Sequence, residues 1–287
     1  EMCSPADILF PIDIKNPRAN MDAFFTYGFL ERALLGGIFI AVACAVLGVF
    51  LLLRKDAMIG HGLSHVTFAG VALGLFLQMM PLAVALAVSV LASLGIMKLK
   101  ESAGLYGDTA IAIVSSLGMA LGIILATLSQ NFGVSLLNYL FGEILAIEPL
   151  EVWLSMVLAA AVVAVVVGYY RKFMSLTFDR ESAQVSGIRV RRLDTLITIL
   201  ASVTIVLGMK VVGILLVSAL IVIPAAAGLQ LASNFKTAIV LSCGVGLVSV
   251  IVGLVLAFVL DLPASGTIVL VGFFLFGMFF LLKKRKK

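Results

Sequence analysis

Charge is the first thing this sequence is short of. Only 12% of its 287 residues are Asp, Glu, Lys or Arg, about half the share of an ordinary soluble domain. With so little polar material an apolar core cannot be given a water-compatible shell, so a soluble fold is excluded. Cysteine is also scarce: Cys3, Cys44 and Cys243 are too few and too scattered for a disulfide framework or a clustered thiolate metal site. No GxxxxGK[ST] string occurs, so the chain has no phosphate loop and any use of ATP belongs to a separate subunit. No HExxH occurs either, which removes the metalloprotease reading; in HGLSH the position of the general base is Gly62. Residues 1–20 carry Asp7, Asp13, Lys15, Arg18 and three prolines and have no apolar core segment of the signal-peptide kind.

What the chain has in abundance is apolar length. Hydrophobic residues make up 62% of it and the mean hydropathy is +1.22. A helix needs about 20 apolar residues to cross the hydrocarbon layer. Stretches of that kind lie at about 30–53, 60–79, 81–97, 109–128, 150–170, 194–210, 211–232, 237–260 and 267–282. Pro81 and Lys210 are expected to separate neighbouring spans with almost no loop. Residues 136–147 are apolar but too short to span, and read as a half-helix or re-entrant segment buried in protein. The expected fold is all-α, a polytopic bundle of about eight or nine transmembrane helices. Its divisions are a polar extracellular segment 1–28 with Met21 a candidate start, a membrane domain 29–282, and a basic tail 283–287.

The placement of Lys and Arg sets the expected orientation, because cytoplasmic loops retain positive charge. Nine alternating spans put Arg54, Lys55, Lys98, Lys100, Arg171, Lys172, Arg180, Arg189, Arg191, Arg192, Lys236 and the five residues 283–287 on one side, 16 of the 20 basic residues. Lys15, Arg18, Arg32 and Lys210 remain for the other. The amino terminus is therefore expected outside and the carboxyl terminus in the cytoplasm of the cell membrane. The modest net charge of +5 is topological rather than a nucleic-acid signal. The terminal KKRKK directly follows an apolar span and reads as a stop-transfer anchor in preference to a lipid or nucleic-acid patch.

Two features could carry chemistry. The longest cytoplasmic stretch, 171–194, has helix-compatible spacing and then Gly187 as a stop signal; it is either a solvated linker or a docking element for a cytoplasmic partner. The only two histidines, His61 and His65, stand four residues apart and so share a helix face. Ionisable groups at membrane depth usually line a pathway, and an i, i+4 imidazole pair can chelate one Zn²⁺ at about 2.0–2.1 Å. The blander reading, a histidine bridging two helices by hydrogen bond, accounts less well for both lying on one face with none elsewhere. Ser64 and Thr67 add polarity beside them.

Six strings, in order, resemble the membrane permeases of bacterial and archaeal ABC importers for zinc, manganese or iron: LLRKDAMIGHGLSHVTFAGVALG (52–74), GDTAIAIVSSLGMALGIIL (107–125), YLFGEILAI (139–147), FDRESAQVSGI (178–188), VGILLVSALIVIPAAAG (212–228) and DLPASGTIVL (261–270). The resemblance implies a homodimeric permease, with cytoplasmic ATP-binding subunits and an extracellular or periplasmic metal-binding protein. It also implies a transported divalent ion, Zn or Mn, rather than a permanently bound cofactor. It carries a metal site to His61 and His65, and an ATPase-coupling role to the element containing Asp179, Glu181, Ala183 and Gly187. Many relatives have Asp at the position of His61. Gly107 and Glu143 depart from the family strings, and Glu143 is kept as a candidate pathway residue beside Ser64 and Thr67. A proton-coupled secondary transporter or a channel would also place ionisable groups mid-membrane, but has no use for an ATPase-docking element.

Imidazole suits zinc and carboxylate suits manganese, so zinc is the favoured cargo. His61→Asp is expected to raise the Mn²⁺-to-Zn²⁺ uptake ratio measured in cells lacking other importers; an unchanged ratio would place selectivity outside this pair.

Overall fold

The computed structural model describes residues 28–102, 107–128, 142 and 147–285. These form helices α1 (Gly28–Leu53), α2 (Met58–Phe76), α3 (Pro81–Ser102), α4 (Gly107–Leu128), α5 (Pro149–Gly168), α6 (Tyr170–Phe178), α7 (Arg180–Val185), α8 (Val190–Val212), α9 (Ile214–Leu231), α10 (Phe235–Leu260) and α11 (Ala264–Arg285). All but α6 and α7 are long and apolar enough to cross a membrane, which makes nine such helices among the described residues. The fold is an all-α polytopic bundle, as expected. The short segment 136–147 lies outside the described residues except for Gly142 and Ile147, as does Glu143.

Local chemistry explains where the helices stop. Gln78 takes a left-handed backbone (φ 55°) after α2, and Pro81 then opens α3, where a missing N–H costs nothing. Lys210 does not separate two spans as its charge suggests. It lies inside α8, its ammonium paired with the Glu151 carboxylate. The break comes three residues later at Gly213, whose φ of 89° is the only non-helical step between α8 and α9. Only glycine adopts that backbone cheaply. A second positive-φ glycine, Gly142, lies against it: a Cβ on Gly142 would come within 2.6 Å of the Gly213 nitrogen.

Packing repeats the expected alternation of direction. Gly70 meets Ala85 and Gly74 meets Pro81, so α2 and α3 are antiparallel. Gly62 meets Ile111, Gly118 meets Val66 and Gly122 meets Phe68, so α2 and α4 run parallel along much of their length. The centre of the bundle is the face of α1 carrying Ile40, Cys44, Leu47 and Phe50, packed with Leu216 and Ile221 of α9 and Ile205 of α8, all fully buried. A smaller cluster joins Phe68, Val71, Ala85, Met209 and Ile214. The faces of α4, α5 and α11 that carry Ile124, Trp153 and Phe274 are exposed and apolar, as a lipid-facing surface must be.

The closest approach of α1 and α9 has no spare volume: a Cβ on Gly48 would fall on the carbonyl of Ile221. Gly48→Ala is expected to lower stability by about 1–3 kcal/mol through overpacking, read as a fall in Tm in detergent. Gly244→Ala, where a Cβ meets open space, is the matched control and should be neutral or slightly stabilising.

Candidate functional site

The turn that introduces α2 positions the histidines. Lys55 adopts φ 59°. The Lys55 N–H donates to the Leu52 carbonyl (3.1 Å) and the Asp56 N–H to that of Leu51 (2.8 Å), closing α1 in a Schellman arrangement with lysine where glycine is usual. Asp56 accepts the Ile59 N–H at 3.0 Å, and α2 begins. His61 lies in its first turn and His65 one turn on, about 10 Å from the helix start. Their Nε2 atoms are 3.1 Å apart, with the rings near perpendicular at 86°. Two nitrogens at about 2.05 Å from a common ion would subtend about 98° at this separation, close to tetrahedral. Without an ion the same distance suits one N–H···N hydrogen bond. His61 is exposed and His65 half-buried, so the pair opens onto the surface of the single chain. Among the described residues no third His, Cys, Asp or Glu joins it.

Ser64 and Thr67 are not brought to the pair. Ser64 is buried and donates to the Gly60 carbonyl (2.8 Å). Thr67 donates to Leu63 (2.8 Å) and meets the Ser89 hydroxyl of α3 at 2.7 Å on the inner face. Their hydroxyls are used in packing α2.

The short helix expected before Gly187 exists as α7 and is capped at both ends. The Asp179 side chain accepts the Ser182 N–H (3.0 Å) and hydroxyl (2.5 Å). The Ser182 hydroxyl and then its amide hold the Asp179 carboxyl below its usual range, so the cap persists above that range and fades only as pH falls through the lowered value. At the other end the Gly187 N–H donates to Gln184 (3.1 Å) and the Ile188 N–H to Ala183 (3.1 Å), a Schellman closure that uses Gly187 at φ 77°. Ala183 is fully buried, whereas Glu181 and Val185 are exposed. The stretch before α7 is itself helical (α6), turned off α5 at Tyr169 (φ −106°, ψ 15°).

Sequence reasoning missed an ionic chain at this end of the bundle. Asp194, the fifth residue of α8, takes Arg54 on one carboxylate oxygen and Arg180 on the other, the latter at 2.8 Å. Arg54 also lies 3.8 Å from Asp56, which pairs with Lys100 of α3. These five residues, with Ile59, Ile96, Met97 and Thr198, line a cavity of about 310 Å³. Arg54 and Asp194 are 140 positions apart, so no spacing signal could join them; a buried-acid signal, Asp194 opening an apolar span, was available. At the opposite end Glu151 pairs with Lys210, and Arg32 reaches the Ile147 carbonyl at 3.4 Å.

Residues 26–283 match the model of the ABC 3 transport family. The manganese transport system membrane protein MntC of Listeria innocua is 31% identical over 261 residues, covering 91% of this chain and 93% of that protein. The high-affinity zinc uptake system membrane protein ZnuB of Haemophilus influenzae is 32% identical over 250 residues, covering 87% and 96%. Among solved structures, PsaBC from Streptococcus pneumoniae in complex with Fab contains a chain of TM-score 0.82 and 29% identity, with 91% of this chain and 94% of that one covered.

Glu151 is 7% exposed, and a carboxylate that deep depends on its cation. Lys210→Met is expected to destabilise the purified protein, and adding Glu151→Gln to recover much of the loss. A double-mutant cycle on thermal unfolding should give a coupling of about 1–3 kcal/mol.

Proposed function

The chain belongs to the ABC 3 transport family, and on that premise we propose that it is the membrane permease subunit of an ATP-driven importer of divalent metal ions, with His61 and His65 as its intramembrane binding station. The observation that carries the reading is the convergence of two Nε2 atoms to 3.1 Å on a helix with no other ionisable residue. Neutral imidazoles offer the ion two lone pairs and no charge. The ion is held briefly and released rather than trapped, as transport requires. Relatives are named for manganese and for zinc; the two imidazoles tilt this chain toward zinc.

The remaining assignments follow from the same reading. The pair opens on the chain's own surface, which fits a pathway completed by a second copy. The extracellular binding protein delivers the ion at the Lys210 end, and the ATP-binding subunits seat α7 at the Arg180 end. The amino terminus is then outside and the carboxyl terminus cytoplasmic. Asp179 and Gly187 cap α7, Ala183 roots it in the bundle, and Glu181 faces the partner. A proton-coupled transporter or channel would leave this doubly capped helix without a role.

In proteoliposomes holding the permease, its ATP-binding subunits and its binding protein, His61→Ala/His65→Ala is expected to lower ATP-dependent Zn²⁺ and Mn²⁺ uptake at least tenfold with assembly intact. Uptake at the wild-type rate would overturn the assignment.

A further inference from the structure

The chain of charges at the Arg180 end has a property that an ordinary set of surface ion pairs lacks. Asp194 is 5% exposed, and a carboxylate so deeply placed must be neutralised in every state the protein visits. Its two oxygens are divided between two arginines on different elements. One goes to Arg54, which follows α1 and is nearly buried; the other goes to Arg180, the first residue of α7, whose side chain is 58% exposed. The Arg180 link is thus the one that can part at low cost. The Arg54 guanidinium also has capacity in hand: its Nη1 is buried and makes no hydrogen bond among the described residues, while Nη2 makes the contact to Asp194. The cavity that these residues line, about 310 Å³, leaves room for the guanidinium to turn.

We infer that Arg54, Asp194 and Arg180 form a two-position electrostatic switch that links α7 to the helix carrying the histidines, with Arg180 as the positioning residue. The inference rests on the importer reading above. In the first position Asp194 is shared, as observed. In the second, α7 has moved away with its ATP-binding partner, and both terminal nitrogens of Arg54 take both oxygens of Asp194. That bidentate pairing is the strongest available to a guanidinium. No buried charge is orphaned in either position, so the arrangement has two discrete minima rather than a continuum, as conformational coupling requires. The rotation also changes the distance from Arg54 to Asp56, now 3.8 Å. Asp56 is tied to Lys100 and stands two residues before the start of α2 and five before His61, its carbonyl accepting the Ile59 N–H. Displacement of α7 is thereby delivered to the base of the metal-bearing helix through three side chains.

The test uses the complete complex in proteoliposomes, with Zn²⁺ and Mn²⁺ uptake and ATP hydrolysis measured together. Arg180→Ala is expected to reduce metal taken up per ATP at least tenfold, with hydrolysis within twofold of wild type and the ATP-binding subunits still bound. Arg180→Lys, which restores the charge, should return the ratio to within threefold. In an Asp194→Asn background Arg180→Ala should change it less than twofold further, because the partner through which it acts is gone. Arg54→Lys keeps the charge, deletes the spare nitrogen and is expected to uncouple as Arg180→Ala does; wild-type coupling in that variant would overturn the switch even should Asp194→Asn not fold. Wild-type coupling in Arg180→Ala, or losses that multiply with Asp194→Asn, overturn the switch and leave the importer reading intact. Loss of the ATP-binding subunits also overturns it, making Arg180 a docking residue. If the wild-type complex takes up neither metal with ATP, the importer reading itself fails and the switch falls with it.

Discussion

A peptide group in hydrocarbon has no water to turn to, and the rest of this structure follows from that. Nine long helices answer it for the backbone among the described residues. The same requirement governs the hydroxyls. Ser64, Thr67, Ser155, Thr198, Ser202, Ser242 and Ser249 are buried, and each donates to the carbonyl one turn back. Sealed this way, serine and threonine behave as small, nearly apolar residues that let helices approach. Pro224, within α9, leaves one carbonyl without its helical donor, and the break at Gly213 is closed by the Gly213 N–H donating to Met209 at 2.9 Å with the Gly142 backbone against it.

The same constraint sorts the ionisable groups. Arg54, Asp56, Lys100, Arg180 and Asp194 pair with one another at one end, and Glu151 and Lys210 do so at the other. His61 and His65 lie along α2 and, among the described residues, meet each other. Imidazole can be there because it is neutral in one of its ordinary protonation states. A carboxylate in the same place would need a cation of its own.

Element type was readable because apolar length is a composition-level signal, and the helices lie where the hydropathy put them. The histidine pair was readable because i, i+4 is a property of one helix. Gly187 as the stop of α7 was readable because a left-handed closing residue has a strong chemical preference. What the sequence hid is what depends on distant partners. Lys210 looked like a boundary because a charge amid apolar residues usually is one; pairing with the Glu151 carboxylate lets it stay inside a helix. Ser64 and Thr67 looked like neighbours of the pair by position, but the helix turns their hydroxyls inward, toward Gly60, Leu63 and Ser89. The shared carboxylate of Asp194 ties the end of α1 to α7 and α8, and its link to Arg54, across 140 positions, has no local signature.

The one-residue step at Gly213 bears on how the protein is made. Two membrane-crossing helices joined by a single residue cannot enter the bilayer one after the other, because neither has a loop in which to pause. They must be inserted together as a helical hairpin, and on the proposed orientation the hairpin carries the Lys210 ammonium across at its tip. Glu151 is synthesised earlier and already lies on the far side with α5. It can receive that ammonium as it arrives, so the order of the two residues along the chain matches the order in which biosynthesis needs them.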